Sequence, residues 1–278
     1  MVIRDQVKEI LELVPAVPRV HKLAHSLRGR EYEGPEEESQ IDIPKFTLQN
    51  AKEEVQASDV ELMQGLKEAR ILNINGELRP ISQVYLASIL ELILNLLVSL
   101  SLPPNAVSVE TLTSVLADEH EVPRPVSTQV MAWFGEIRGG KWNMDVKEMV
   151  MEAGLGILRN HKDEPVEKEV LLAKWASIVG DTFENSISLD LLAGNYLLTP
   201  GNAPTLSYFP RSSLPVDPSA RFRDLFLTRT RWKVEDITPF LSDIAVDTKE
   251  RDKLLLKYAR GVTDAGGLWY TARAQYSA

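Results

Sequence analysis

Four times along this 278-residue chain, helical segments run into two short extended segments joined by a tight turn. The extended pairs end near residues 80, 143, 209 and 273, a period of about 65 residues. A fixed order of elements at a fixed interval restricts the chain to a tandem array. The expected fold class is mainly α with small β-hairpins. Three helices closed by a hairpin is the winged-helix form of the helix-turn-helix. The expected array of winged-helix (helix-turn-helix) domains therefore divides as 1–80, an N-terminal remnant with the first helical unit, then 81–144, 145–210 and 211–278.

Local signals place the elements. Leu48 to Val55 reads as a short helix, and Arg19 to Arg28 as a basic one ending at Gly29. Ser58 and Glu61 form a capping box that opens a helix running to about Arg70. Ile71 to Ile74 alternates into Asn75-Gly76, the strongest short hairpin signal, and returns as Glu77-Leu78-Arg79. Gln83 to Leu100 is a long apolar run interrupted by Glu91 and Asn95. It is shorter than the ~20 apolar residues that a membrane span needs, and reads as a core helix. Further helices are expected at about 108–118, 125–136, 145–159, 166–179, 187–193, 219–230, 234–244 and 248–260. Glu31 to Glu38 is polar and turn-rich and reads as a flexible loop, and Ile10 to Val14 as an extended run.

The chain has 31 Lys and Arg against 40 Asp and Glu, a net charge of −9. That balance argues against a surface coated in nucleic acid throughout. The charge is not evenly spread. Residues 211–278 hold twelve Lys and Arg against nine Asp and Glu, and every earlier segment is acidic. An anionic partner is expected at the carboxyl end. There are no cysteines, which excludes disulfides, thiolate zinc sites and a cysteine nucleophile. No phosphate-binding GxxxxGK loop occurs. His21 and His25 have metal-compatible spacing, but Arg19, Lys22 and Arg28 surround them and no third ligand is near. His120 and His161 stand in no catalytic arrangement. The chain reads as non-enzymatic, with no metal and no cofactor.

In the last unit, Lys249, Lys253, Lys257 and Arg260 recur at helical spacing on the expected third helix, with Thr248 as its N-cap. Leu254, Leu255 and Tyr258 fall on the opposite side, toward a core. The third helix is the recognition position, where cations meet phosphates and base edges. Arg229, Arg231 and Lys233 form a second group at the end of the unit's first helix and its turn. The expected wing adds Trp269, Tyr270 and Arg273, a set suited to stacking on unpaired bases. The ordinary alternatives are a solvated lysine face and a core tryptophan.

The run Arg221-Phe222, Leu225-Phe226, Arg231 to Phe240 and Leu255 to Tyr258 resembles the end of a known family. That family is the sister chromatid cohesion subunit of the alternative clamp loader, the replication-factor-C-like complex built on the chromosome transmission fidelity large subunit. Glu31-Tyr32-Glu33-Gly34-Pro35 is similar to its Tyr-Glu-Gly-Pro loop, and Leu11 to Pro15 to the segment before it. The resemblance covers most of the chain and is weak from about 80 to 210. It implies a non-catalytic nuclear subunit that helps a clamp loader act on the sliding clamp at replication forks and supports cohesion. It also implies an N-terminal β-barrel joining the clamp loader large subunit and a small cohesion subunit. Three tandem winged helices that bind single- and double-stranded DNA would follow. Replicative polymerase epsilon is a further expected partner. This chain starts at what corresponds to the barrel's last stretch, with residues 1–14 as its remnant, and the period counts four units where the family has three.

The expected function is thus a clamp loader subunit in DNA replication and sister chromatid cohesion, whose C-terminal winged helices bind DNA. The alternative is a winged-helix scaffold that docks a replication polymerase or loader subunit without touching DNA. A sequence-specific transcription factor would need a dimer motif, and none is visible.

Overall fold

The computed structural model describes residues 20–35 and 44–273. The extended run expected at Ile10 to Val14, the barrel remnant expected at 1–14 and the acidic residues 36–38 lie outside the described residues. The chain forms two compact units, a larger one of Pro18–Ser213 and a smaller one that holds Leu214–Ala278.

The larger unit opens with a 3-10 turn at Val20–Lys22 and helix α1 (Leu23–Ser26), shorter than the basic helix expected there. Helices α2 (Leu48–Glu54) and α3 (Asp59–Glu68) follow. Ser58 and Glu61 make the capping box that the sequence announces, with the Ser58 Oγ accepting from the Glu61 N–H at 3.3 Å. Strands β1 (Ile71–Ile74) and β2 (Glu77–Pro80) pair antiparallel around Asn75 and Gly76, both at positive φ as the tight turn requires. The hairpin is packed on both faces. Ile71 and Leu78 join a cluster with Leu23, Leu27, Leu62 and Leu66, whereas Leu72 and Ile81 enter the main core.

Glu31 to Pro35 is not a loose loop. Tyr32 is 1% exposed and bridges to Ile81. Its N–H donates to the Pro80 carbonyl at 2.7 Å, and its carbonyl accepts from the Ser82 N–H at 2.9 Å. The Arg79 guanidinium lies 5.1 Å over the Tyr32 ring, and Arg79 also donates to the carbonyls of Arg30 and Glu31. Charge and turn residues disguised a segment that a single buried aromatic ties down.

Helix α4 (Gln83–Ser99) packs against α5 (Val109–His120), α7 (Val146–Asn160) and α8 (Lys168–Val179). Leu86, Ile89, Leu90, Ile93, Leu94, Leu96 and Leu97 of this helix are buried, and no helix among the described residues is long and apolar enough to cross a membrane. Between and after these helices come β3 (Val107–Ser108), α6 (Arg124–Trp133), β4 (Gly135–Arg138), β5 (Lys141–Met144), β6 (Val166–Glu167), β7 (Tyr196–Thr199) and β8 (Thr205–Tyr208). The helix expected over 125–136 stops at Trp133. Gly135 has φ +157 and begins β4, and a Cβ there would lie 2.3 Å from the Asn143 carbonyl oxygen. The helix expected over 187–193 is a 3-10 turn at Leu189–Leu192.

The smaller unit runs α9 (Pro218–Thr228), β9 (Arg231–Lys233), α10 (Val234–Ile237), a 3-10 turn at Thr238–Leu241, α11 (Thr248–Tyr258), β10 (Ala259–Asp264) and β11 (Gly267–Ala272). Pro239 has no N–H to donate, and the helix expected over 234–244 tightens to 3-10 geometry around it. Its core holds Phe222, Leu225, Trp232, Ile237, Phe240 and Leu255, all at most 2% exposed.

The fold is mainly α with small antiparallel sheets. The three-stranded sheets have the orders β3-β5-β4, β6-β8-β7 and β10-β11-β9. In each, a short strand that precedes the inner helices pairs with the last strand of the hairpin. The β1-β2 sheet has only two strands.

Candidate nucleic-acid interface

Helix α11 is built so that its lysines point outward. Its N-cap is Asp247, not Thr248: the Asp247 carboxylate accepts from the Glu250 N–H at 2.7 Å. Leu255 is 2% exposed, and Tyr258 stacks on Phe222 with ring centroids 5.2 Å apart. With that side buried, Lys249, Lys253 and Lys257 are all exposed. The helix's own acids are engaged elsewhere. Glu250 accepts from the Val246 N–H at 2.7 Å, and Asp252 pairs with Arg251 at 2.8 Å. Among the described residues, none of the three lysines forms an ion pair. The Lys257 ammonium lies 5.0 Å over the Tyr258 ring.

Arg260 does not belong to this helical stripe. The helix ends at Tyr258, and Ala259 takes extended angles. Arg260 is the second residue of β10, in register with Thr271. Pairing of the six residues Ala259 to Asp264 with β11 outweighs the helical preference of one more arginine.

The second group lies on a strand. Arg231 and Lys233 are both in β9, on either side of the buried Trp232, and their side chains share the face of Trp269. The Arg231 guanidinium lies 4.9 Å and the Lys233 ammonium 5.5 Å from the Trp269 ring centroid. Each cation also has a carboxylate: Arg231 pairs with Asp264 at 2.5 Å, Lys233 with Glu235 at 3.7 Å, and Arg229 with Asp236 at 3.5 Å. Arg229 sits over Trp232 at 4.9 Å, apart from the Trp269 cluster. The Trp269 indole N–H donates to Asp264 at 2.9 Å. The Arg231 guanidinium, with the Gly266 and Trp269 N–H groups, holds the Asp264 carboxyl below the ordinary aspartate range.

Trp269 and Tyr270 cannot form one stacking surface. Successive strand residues face opposite sides, and Tyr270 lies opposite the buried Trp232. Arg273 donates to the Leu256 carbonyl at 2.8 Å, which joins the end of the hairpin to the last turn of α11. The structure therefore brings Lys249, Lys253 and Lys257 together on one face, adds Arg260 and Arg273 beyond the helix end, and ties Arg229, Arg231 and Lys233 to acids. Sequence counting missed Asp236, Asp264 and Glu235 as partners. Glu235 stands two residues from Lys233 and is legible as its neighbour, but Asp236 is seven residues from Arg229, and Asp264 reaches Arg231 only through the hairpin.

The larger unit carries a cleft of about 1010 Å³ lined by Arg70, Trp133, Glu148, Glu152 and Arg159, among others. Glu152 is its buried carboxylate, and it is committed to Arg159 at 2.6 Å and Arg70 at 3.4 Å. Helix α6 follows α5 as α11 follows α10, but its surface is in use. The Gln129 side chain accepts from the Asn73 N–H at 2.8 Å and donates to the Asn73 carbonyl at 3.0 Å, pairing with β1 as a strand would.

These features define a mainly helical protein of two compact units with small antiparallel sheets, the smaller unit presenting a lysine face. A family model described as Sister chromatid cohesion protein Dcc1 matches residues 1–241. The chain belongs to that family. It is 30% identical over 128 residues to the sister chromatid cohesion protein DCC1 of Saccharomyces cerevisiae, covering 45% of this chain and 33% of that protein. It is 24% identical over 269 residues to the Homo sapiens protein of the same name, covering 94% and 66%. The Xenopus laevis protein is 27% identical over 274 residues, covering 96% and 68%. The match thus spans a third of the yeast relative and just under two thirds of the human one. These relatives are named as cohesion proteins, and α11 lies beyond the residues that the family model matches.

Proposed function

We propose that this chain is part of a non-catalytic nuclear subunit of an alternative clamp loader, and that its smaller unit meets single- and double-stranded DNA through α11. The observation that carries the DNA contact is the set of three lysines on one exposed face of α11, with no carboxylate in ion-pair reach among the described residues. The winged-helix reading is supported by the recurring strand order, first–third–second, in the three-stranded sheets. By this reading 83–144, 146–208 and 218–272 are three such units, and the two-stranded β1-β2 segment is a helical lead-in. Family membership supports the cohesion role. The loader's large subunit, the small cohesion subunit and polymerase epsilon are the partners proposed with it.

The test is salt-titrated binding of the full chain to short duplex and single-stranded oligonucleotides. Each phosphate neutralised by a lysine contributes about −0.9 to the slope of log K against log salt on duplex DNA. Replacing Lys249, Lys253 and Lys257 by glutamine should therefore flatten the slope by about 2 to 3 and weaken binding to both forms. Unchanged affinity and slope would remove α11 from the interface.

A second reading, protein docking by the larger unit, is supported by the acidic balance of residues 1–210 and by the occupation of α6 by β1. Cross-links to a polymerase or loader subunit confined to Pro18–Ser213 would support it. The two readings concern different units and are compatible.

A further inference from the structure

The lysine face of α11 contains one residue that charge cannot explain. Leu256 is 72% exposed, the most exposed large apolar side chain described in the smaller unit. Isolated exposed leucines are common and ordinarily mean nothing. The placement of this one sets it apart. At 100° per residue, Leu256, Lys249, Lys253 and Lys257 share an arc of roughly 100°. Leu255 points the other way, into the core. Glu250 and Asp252 flank the arc, but their carboxylates are held by the Val246 N–H and by Arg251. The backbone at Leu256 is also anchored, because Arg273 donates to its carbonyl at 2.8 Å.

We infer that Leu256 reads bases, packing its isobutyl group against the C5-methyl of thymine while the surrounding lysines hold the phosphates. This inference rests on the DNA-binding reading above and adds a base preference to it. Leucine has no donor or acceptor for a base edge, and the thymine methyl is the apolar group that the major groove of duplex DNA displays. The lysines supply the attraction that brings an aliphatic side chain to such a surface. They carry no sequence information themselves.

The experiment compares binding of the full chain to an A·T-rich duplex with binding to the same duplex carrying uracil in place of every thymine. Burying one methyl group corresponds to about a three- to fourfold preference for the thymine duplex. Leu256→Ala should reduce that ratio to about one while leaving the salt slope unchanged. The substitution is on an exposed helix position and removes no core contact, so the fold is retained. Lys253→Gln is the contrasting variant: it should weaken binding to both duplexes equally and keep the ratio. Measurable binding by the wild type with equal affinity for the two duplexes overturns the inference and leaves the DNA-binding reading standing. A ratio that survives in Leu256→Ala likewise overturns it, as does a Leu256→Ala effect seen only on binding of a protein. No DNA binding at all overturns both.

Discussion

Arg221 shows how one side chain can organise the smaller unit. It is fully buried, yet its guanidinium donates to the carbonyls of Pro215 at 2.7 Å, Phe240 at 2.8 Å and Leu214 at 3.3 Å. It also forks onto the Asp243 carboxylate. The approach to α9 and the turn before α11 are thereby fastened to one point. Arg221→Met, which keeps much of the volume, would leave Asp243 and those carbonyls without their donor. It should cost about 3–5 kcal/mol, measured by urea unfolding followed through tryptophan fluorescence. Lysine should rescue only part of this, because it lacks the planar fork. Gly154 is critical for a different reason. A Cβ there would fall 2.6 Å from the Trp175 indole, which is itself held by its N–H donating to the Val150 carbonyl at 2.7 Å. Gly154→Ala should destabilise by about 1–3 kcal/mol, read from the same kind of unfolding curve.

At the scale of elements, the β10-β11 hairpin carries a carboxylate whose titration its own contacts shift. Asp264 is held below its ordinary range, and the contacts that lower it join β9, the hairpin turn and Trp269. A carboxylate with a depressed native pKa contributes stability that is fully present above the unfolded value, about 3.9. That contribution is lost as pH falls below it. Acidification from pH 6 toward pH 2 should therefore loosen the hairpin, seen as a change in the Trp269 indole N–H resonance. In Asp264→Asn the acid-dependent part of that change should be gone. α11 and its neighbours also show how element boundaries escape sequence reasoning. The capping box at Ser58 and the Asn75-Gly76 turn are local devices, complete within four residues, and both were legible. The end of α11 was not, because Arg260 favours a helix by itself and is claimed by a strand partner eleven residues later. Likewise Trp269 and Tyr270 read as one aromatic pair until their strand placed them on opposite faces.

For the whole molecule, the consequential feature is that one core cluster runs from Tyr32 through Leu206. The α4 helix joins it to α5, α7 and α8, so the segments 83–144 and 146–208 share buried surface. They should unfold together. In hydrogen exchange, Gly154→Ala should lower the protection of the Val130 and Leu206 amides by the same free energy, although Val130 lies in the preceding segment. Protection lost at Leu206 alone would mean that each repeat folds by itself.

The sequence by itself determined the recurrence of helices and hairpins, the Asn-Gly turn, the capping box, the buried α4 and the basic balance of the carboxyl end. All of these depend on residues close together in the chain, where backbone preference and hydrophobic period act without help from distant partners. Tertiary structure alone decided which cations stay unpaired. Arg231 is neutralised by Asp264 across a hairpin, Arg221 disappears into a core, and Lys249, Lys253 and Lys257 stay exposed because the opposite side of α11 is packed on Phe222. Charge is additive along a sequence, but the field that a partner meets depends on separations in space, and those are set only when the chain has folded.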